Sequence, residues 1–543
     1  MKYYLICIGG TGAKCLEAFV HMNAAGLMQS REEIKIIYVD PDASNGNLDK
    51  AKNAVASYIN AYNVISQDKD FFKNPLSPKE EIWNPVPNGS DRNLEEIFQR
   101  SNMIGDEESI ACLFDVLFTK SEKTTKLTEG FRGHPSIGAA VIGLNMDMDK
   151  ADVWKQMADD IKEKEARIFF FGSVFGGTGA AGFPNIAKII RGTFDGKTGP
   201  DFKMGGCLML PYFEFEPAKK EDEIDNETKN EIIVPKPTRF KASTYAALNY
   251  YNKNFLLGNP AEGESGIFDA IYLLGDVAPV HMGAYHDGGD SQKNESHFLE
   301  MLAALAAIDF FNKDSTAFDK PICNMLALHD EDFSWKDLPS VYPGCDTGIK
   351  IKTFIRTAYM FRTTIFPKIK ENYDNNKEIS QIKNDPWIEN WLRGNQSLFQ
   401  RIKSKLNQTS EEKSPHITKD EYTSLEFFQK YCVMFLDEWL KGFTFQQKNK
   451  RLRCGNLINE GFFAFGKRSK EDNDDEKTFE DNVGKIIRPE NIFKEKGTTI
   501  FDTSQEEFHQ ALTRWSETNN KETGVKFLLA QVYDLLKDRK EGN

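Results

Sequence analysis

The sequence lacks the patterns that mark several common protein classes. Its eight cysteines form no Cys-x-x-Cys pair and no close cluster with histidine, which argues against a zinc site and against a disulfide framework. It contains no Gly-x-x-x-x-Gly-Lys-Ser/Thr run, so it is not an ordinary P-loop NTPase. Its longest apolar runs, such as IFFFGSVF, are far shorter than the roughly 20 residues that a membrane-spanning helix needs.

An excess of positive charge is also lacking. The 69 lysines and arginines stand against 82 aspartates and glutamates, which gives a formal net charge of −13. This balance argues against general binding to nucleic acid or to an anionic membrane, because both need a basic surface. The opening segment MKYYLICIGGTG has neither the long apolar core nor the cleavage site of a signal peptide, so we expect a soluble, cytoplasmic protein.

What is present is a chain of 543 residues, long enough for two or more domains. In its first half, short β-branched and aromatic runs alternate with stretches of helical periodicity. The predicted strands are YYLICI, IKIIYVD, ARIFFFGSVF, KMGGCLML and FDAIYLLGD. This alternation predicts an α/β fold with a mostly parallel sheet, helices on both faces, and ligands at the carboxyl ends of the strands.

The pattern changes in the second half. Residues 296–311 are strongly apolar and predict a buried central helix. After about residue 320, long charged and aromatic stretches favour helices. Residues 217–237 hold acids, lysines and prolines without apolar periodicity, and therefore predict a solvated surface insertion.

Two glycine-rich runs each lie between a predicted strand and a predicted helix. Backbone N–H groups in such a run can approach an anion, and the helix N-terminus adds a favourable dipole. Two runs on one sheet predict a polyphosphate held between two helix ends, although a purely structural turn stays open for each. The residues concerned are Gly9, Gly10 and Gly12 in the first run, and Gly176, Gly177, Thr178 and Gly179 in the second.

A dinucleotide site is the rival interpretation. Gly10 and Gly12 follow a strand, and Asp40 ends the next strand, where the ribose acceptor of an NAD-dependent Rossmann oxidoreductase would lie. Against this, Cys15 stands at the position of the third small residue of the fingerprint. Such a dinucleotide site would also leave the second glycine run without a ligand to bind.

Five blocks, taken in order, resemble the FtsZ/tubulin GTPase superfamily, in a divergent prokaryotic tubulin-like branch. They are IGGTGAKCLEAFVHM, YVDPDA, GHPSIGAA, FGGTGAAG and PYFEFE. The resemblance covers about residues 1–312 and implies a tubulin/FtsZ-like nucleotide-binding domain there, including the central helix 296–311. Residues 313–543 would form a helix-rich C-terminal domain, with or without a small sheet.

The resemblance implies a site for GTP or GDP with Mg²⁺. Both glycine runs would contact phosphates, with acids of the second block nearby, and the third block would face the γ-phosphate. Beyond the glycines already named, the phosphate-site residues that it implies are Thr11, Asp40, Asp42, Gly133 and His134.

The sugar and the base would be met by other residues. Glu214 or Glu216 would approach the ribose, and Phe298 would stack on the base, although core packing is also open for Phe298. Lys14 stands where relatives usually carry a polar group that reads guanine. The base preference therefore stays open, and Lys14 can instead pair with a phosphate.

In this superfamily an acidic loop after the central helix enters the next subunit's nucleotide site, so assembly completes hydrolysis. The matching acids here are Asp314 and Asp319, the latter shifted by two positions, although an ordinary capped turn is also open. The resemblance thus implies a GTPase that assembles head to tail into filaments. The alternative is a nucleotide-gated scaffold with little turnover, which recruits a protein partner through its C-terminal domain.

Overall fold

The computed structural model describes most of the first two-thirds of the chain and parts of the remainder. The described residues are 1–42, 44–65, 70–79, 81–86, 92–103, 108–127, 130–131, 133–163, 165–194, 199, 201–216, 240–254, 266–276, 279–284, 294–327, 338–378, 388, 417–442, 494–495, 498–499 and 525–536. The predicted insertion at 217–237 lies outside these ranges.

A sheet of seven strands, all paired in parallel, forms the centre of the described structure. In spatial order the strands are β3 (Glu81–Trp83), β2 (Ile34–Val39), β1 (Lys2–Ile8), β4 (Ala166–Ser173), β5 (Lys203–Met209), β7 (Ala270–Gly275) and β9 (Ile322–Ala327). Tyr3 of β1 pairs with Ile34 on one side and with Arg167 on the other. The predicted α/β class with a parallel sheet is therefore confirmed.

Helices cover both faces of this sheet. Those of the first part are α1 (Gly9–Ala24), α2 (Gly46–Val64), α3 (Leu94–Ile97), α4 (Glu108–Leu117), α5 (Lys120–Thr124), α6 (Pro135–Asn145), α7 (Asp152–Glu163), α8 (Gly177–Phe194), α9 (Phe240–Asn254) and α10 (Phe298–Asn312). Successive residues of β1 belong to different cores: Leu5 packs with α1, α2 and α10, whereas Ile6 packs with α6, α7 and α8. Burial on both faces explains why the strands are continuous apolar runs.

The C-terminal region is rich in helices, as expected. Its described helices are α11 (Thr347–Met360), α12 (Phe366–Glu378), α13 (Lys419–Val433) and α14 (Val525–Leu536), with π-helical turns at Phe361–Ile365 and Met434–Leu440. They share one hydrophobic core with α1 and α2: the ring of Tyr533 stacks on Phe71 at 4.6 Å, and Trp439 lies 4.9 Å from His21. A domain boundary at residues 312 and 313 stays a prediction.

Among the described residues, two strand pairs lie outside the main sheet. β6 (Phe213–Glu216) and β8 (Val280–Ala284) pair in parallel. β10 (Lys494–Glu495) and β11 (Thr498–Thr499) form a short antiparallel pair in the C-terminal region.

The central helix α10 runs along one face of the sheet, from the edge where the strands end to the edge where they begin. Its residues are apolar on nearly every side, and almost all are buried. At its end, Arg167 donates from Nη1 to the carbonyl of Phe311 (3.1 Å) and from Nη2 to the hydroxyl of Ser315 (3.2 Å). This arginine, near the start of β4, satisfies carbonyls that the helix terminus would otherwise leave unpaired. No helix within the described ranges is long and apolar enough to cross a membrane.

Candidate functional site

The sheet changes its direction of winding between β1 and β4. From β1 the chain continues to β2 and β3 on one side, whereas β5, β7 and β9 lie beyond β4 on the other. Such a switch point leaves a crevice at the carboxyl ends of the two strands, where ligands of α/β sheets bind. α1 begins there directly after β1, and α8 begins there after the loop that follows β4. Two helix N-termini therefore meet at this crevice, and their N–H groups and dipoles favour an anion.

The first glycine run needs glycine for two physical reasons. Gly9 has a φ of +70°, in the left-handed region that side chains disfavour. A Cβ atom on Gly12 would lie 2.9 Å from the carbonyl carbon of Cys7 and 2.9 Å from the oxygen of Phe171. The start of α1 is thus pressed against β1 and β4, while Thr11 of the same run remains half-buried.

The second glycine run packs directly against the first. A Cβ atom on Gly179 would lie 2.8 Å from the backbone nitrogen of Ser173, so α8 also begins close to its strand. A Cβ atom on Gly9 would lie 3.3 Å from Cβ of Thr178. Gly176, before the helix, remains half-buried. The two predicted phosphate loops are therefore neighbours.

The third predicted loop joins them. The backbone nitrogen of Gly133 lies 2.9 Å from where a Cβ atom of Gly177 would be, and Gly133 itself has a φ of +76°. The hydroxyl oxygen of Thr178 lies 3.6 Å from where a Cβ atom of Gly130 would be. His134 is the N-cap residue of α6. A third helix N-terminus thus lies beside the other two.

Two buried acids follow β2 at the same edge. Oδ1 of Asp40 accepts the N–H of Asp42 at 3.0 Å, and Oδ1 of Asp42 accepts the hydroxyl of Ser44 at 2.8 Å. Burial raises the pKa of Asp40 to about 7, although the hydrogen bond from Asp42 works in the other direction. A cation bound at this edge would favour the ionised form of Asp40.

Lys14 lies beneath the loops in a buried polar cluster. Its Nζ is 2.6 Å from Oε1 of Glu300 and donates to the carbonyl of Glu295 at 2.8 Å. The same carboxylate oxygen accepts the hydroxyl of Tyr212 at 2.7 Å, and Oε2 accepts the N–H of His297 at 2.9 Å. This cluster fastens α1 to the start of α10, and a contact of Lys14 with a nucleotide stays a prediction.

The residues predicted for the sugar and the base lie near the start of α10. Phe298 is its first residue; it is buried, with its ring 4.9 Å from His297. His297 in turn packs at 4.9 Å against Tyr212, which precedes β6. The backbone of Glu214 and Glu216 lies in β6, and their side chains fall outside the described part of the chain. Their roles stay predictions.

The two predicted catalytic acids are not at this edge. Asp314 is the N-cap residue of the single turn Ser315–Phe318 after α10, without a capping hydrogen bond from its side chain, and Asp319 is the C-cap residue. Both side chains are exposed. The turn is anchored by Arg167 near the start of β4, at the amino edge of the sheet. Within one chain, the acids and the glycine loops therefore lie at opposite edges.

Sequence analysis missed several polar residues that the fold brings to the site. The amide nitrogen of Asn45 lies 3.2 Å from where a Cβ atom of Gly10 would be. Glu122 contacts His134, and Glu300 pairs with Lys14. For Glu122 a local signal existed, because the Thr-x-x-Glu spacing typical of a helix capping box ends on it. For Asn45 and Glu300 no local signal pointed to these contacts.

The chain is similar in structure to a solved protein. No protein-family model and no curated protein sequence matches the chain. Among solved structures, the chain is similar to CetZ2 from Haloferax volcanii, in a GTPγS-bound protofilament, with 16% identity and a TM-score of 0.26. The match covers 57% of this chain and 58% of that one.

Proposed function

We propose that the chain binds GTP at the carboxyl edge of the sheet. The support is the meeting of three helix N-termini, those of α1, α6 and α8, around three glycine-bearing loops. Such an arrangement stabilises several negative charges at once, as a triphosphate needs. Thr11 and Thr178 would supply hydroxyl groups for phosphate oxygens, and His134 would face the terminal phosphate.

The acids after β2 suit a magnesium ion. Mg²⁺ is usually held by one or two carboxylates together with substrate phosphates and water, and Asp40 and Asp42 are two such carboxyl groups. Burial raises the pKa of Asp40 to about 7, and a cation bound beside it would favour its ionised form. A bound Mg²⁺ would supply neutralisation of phosphate charge.

The course of α10 is the observation that carries the filament proposal. The helix begins at the nucleotide edge, where Glu300 meets Lys14, and it ends at the opposite edge, where Arg167 holds it. Its 15 residues span about 22 Å at 1.5 Å per residue. Asp314, beyond its far end, is therefore too distant to act on its own nucleotide. It would instead act on the nucleotide of a second copy stacked head to tail, a contact that need not close into a ring.

Hydrolysis would then be completed between subunits. Phosphoryl transfer needs a group that orients the attacking water, and the exposed carboxylates of Asp314 and Asp319 can serve this purpose in a neighbour's site. Arg167 keeps the turn that carries them in a fixed position. Turnover is accordingly expected to depend on protein concentration.

Electron microscopy tests assembly. The protein with GTP, or with a non-hydrolysable analogue, should form filaments, whereas the protein with GDP or without nucleotide should remain largely unassembled. Persistent monomers with both GTP and the analogue would reject the filament proposal.

Phosphate release tests the catalytic acids. The variants Asp314→Ala and Asp319→Ala should lower GTP turnover by about 100-fold or more while filaments still form with the analogue. Asp420→Ala, which removes an exposed acid from the first turn of α13, is the matched control and should leave turnover unchanged. Unchanged turnover in the two acid variants would favour the scaffold with little turnover.

Calorimetry separates the nucleotide proposal from the dinucleotide alternative. Titration with GTP should give saturable binding that strengthens with Mg²⁺, and titration with NAD should give none. Saturable binding of NAD without binding of GTP would establish the oxidoreductase interpretation instead.

A further inference from the structure

Helix α4 carries large apolar side chains on both of its faces. Ala111 and Phe114 are buried, and the ring of Phe114 lies 5.3 Å from that of Phe118. Four apolar residues of the same helix are instead more than half exposed: Ile110 (56%), Leu113 (57%), Val116 (83%) and Leu117 (61%). A helix that is apolar all round is ordinarily buried all round, which indicates that this outer face is covered by a partner.

The four exposed residues form one continuous surface, here called the α4 face. Ile110, Leu113 and Leu117 follow the i, i+3, i+7 spacing that places side chains in one row along a helix, and Val116 lies beside that row. Together they present about 400 Å² of apolar surface, which is within the size range of functional patches. Two copies of this face would bury about 800 Å², enough for the apolar centre of an interface of about 1,200 Å².

The charges at the two ends of α4 select the orientation of such a pair. Glu108 begins the helix, and Lys120 stands three residues beyond its last residue; both side chains are exposed. Asp106 and Glu107, which precede Glu108 in the sequence and lie outside the described ranges, are acidic as well. Parallel pairing would set like charges together at each end, whereas antiparallel pairing sets the acidic end of one helix opposite Lys120 of the other.

The register that pairs these charges also pairs the apolar residues. When Glu108 of one helix lies opposite Lys120 of an antiparallel copy, Ile110 lies opposite Leu117 to within one residue. In the same register Leu113 lies opposite Val116 to within one residue. The α4 face is therefore complementary to itself, as an isologous contact requires.

The acid in the middle of α4 does not oppose this pairing. Oδ2 of Asp115 accepts from Arg100 at 2.6 Å, and Oδ1 accepts from Lys123 at 2.8 Å, so its charge is compensated within the chain. Residues two apart on a helix lie about 160° apart around its axis, which sets Asp115 on the side away from Leu113 and Leu117.

We propose that the α4 face binds the same face of a second copy of this chain, with the two α4 helices antiparallel across a twofold axis. This contact closes at two subunits, unlike the head-to-tail contact proposed above. It needs no nucleotide, so it goes beyond the proposed function and is tested apart from it.

Sedimentation velocity of the full chain without nucleotide measures the dimer. The wild-type protein should show a reversible monomer–dimer equilibrium with a dissociation constant of about 10–100 μM, because the buried area is at the low end for stable interfaces. Val116→Glu and Leu113→Glu each place two charges at the centre of the contact, and each should weaken the dimer at least about tenfold.

An exposed aromatic residue on another helix provides the matched control. Tyr245 of α9 is 72% exposed, and Tyr245→Glu should leave the dissociation constant of the dimer unchanged. The thermal midpoint of dilute Val116→Glu should equal that of the wild-type protein, because the side chain at this position is mostly exposed in the monomer.

Charge reversal tests the antiparallel orientation. Glu108→Lys alone and Lys120→Glu alone each set like charges together at both ends of the pair, so each should weaken the dimer about tenfold. The double variant exchanges the two charges and should restore the wild-type dissociation constant. Losses that add in the double variant would overturn the antiparallel pairing.

Three other results would assign the α4 face to a different occupant and overturn the proposal. A wild-type protein that stays monomeric without nucleotide, but needs Val116 to form filaments with GTPγS, would place the face in the head-to-tail contact. A monomeric wild type whose thermal midpoint falls in Val116→Glu would show that another segment of the same chain covers the face. A monomeric wild type that neither assembles differently nor melts differently in Val116→Glu would show that the face binds no copy of this chain.

Discussion

The ion pair between Lys14 and Glu300 offers a sharp test of how the site is built. The two side chains are 4% and 1% exposed, with Nζ and Oε1 2.6 Å apart. Lys14→Met leaves the carboxylate of Glu300 buried with two neutral donors, Tyr212 and the N–H of His297. Glu300→Gln leaves the ammonium group of Lys14 buried without its counter-charge. Each single variant should lose about 3–5 kcal/mol of stability, because it strands a buried charge.

The double variant should recover much of that loss. In Lys14→Met with Glu300→Gln no charge is buried, and the amide oxygen can accept the N–H of His297 while the amide NH2 group donates to the hydroxyl oxygen of Tyr212. Replacement of a buried pair by uncharged residues is often close to neutral, so the double variant should be more stable than either single variant by about 2 kcal/mol. Urea unfolding measures the difference in midpoints, with the slope checked for a change in the unfolding transition.

An exposed pair provides the control for this cycle. Lys368 and Glu371 are 3.0 Å apart on α12, with side chains 41% and 57% exposed. Lys368→Met should cost less than about 1 kcal/mol, because water already solvates both charges. The reasoning is refuted if Lys14→Met is as mild as Lys368→Met, or if the costs of the two single variants simply add in the double variant.

The same double variant measures what Lys14 contributes to the nucleotide. The stability of the double variant is largely restored, so its GTP affinity can be compared with that of the wild type. If Lys14 contacts a phosphate directly, the double variant should bind GTP about tenfold more weakly, because one charge-assisted hydrogen bond is lost. Unchanged affinity would assign Lys14 entirely to the attachment of α1 to α10.

Two further predictions concern the helix α1. Gly12→Ala places a Cβ atom 2.9 Å from backbone atoms of Cys7 and Phe171, which cannot rotate away, so it should cost roughly 1–3 kcal/mol in urea unfolding. Gly143→Ala in α6, with open space around the added atom, should instead stabilise by up to about 1 kcal/mol, and equal effects would contradict the close approach. Burial lowers the pKa of His21 from 6.5 to about 3, so below pH 6.5 the unfolded chain binds a proton that the folded chain excludes. As the pH is lowered from 6.5 towards 3, the free energy of unfolding therefore falls by up to about 1.4 kcal/mol per pH unit. His21→Phe should remove this contribution to the slope when unfolding is measured at several pH values. The same slope in the variant and the wild type would refute the prediction.

Local sequence patterns were sufficient to predict the strands and helices and the α/β fold class. Apolar runs such as YYLICI are buried on both sides of a parallel sheet, so a continuous run of β-branched and aromatic residues identified them. Glycines directly after such runs marked the turns into α1 and α8, because the close approach excludes any Cβ atom. The apolar stretch 296–311 likewise corresponds to α10, which is buried almost all round.

The partners of the polar side chains could not be predicted in this way. Lys14 was interpreted as a base-reading or phosphate-binding residue because of its position in the block IGGTGAKCLEAFVHM. Its partner Glu300 is distant in the chain, and no local pattern indicates the contact between them. His21 is buried against Tyr431 and Trp439 of the C-terminal helices, a packing that no periodicity within α1 indicates. Such contacts depend on which helix faces are brought together.

The sequence by itself determined the parallel α/β core, the glycine turns and the central helix, because each follows from steric and hydrophobic preferences within about 20 residues. The tertiary structure alone decided that three loops meet at one edge, and that Glu122 holds His134 there. It also decided that Asp314 lies at the other edge. These juxtapositions come from the strand order and from the length of α10, which set distances between residues far apart in the chain.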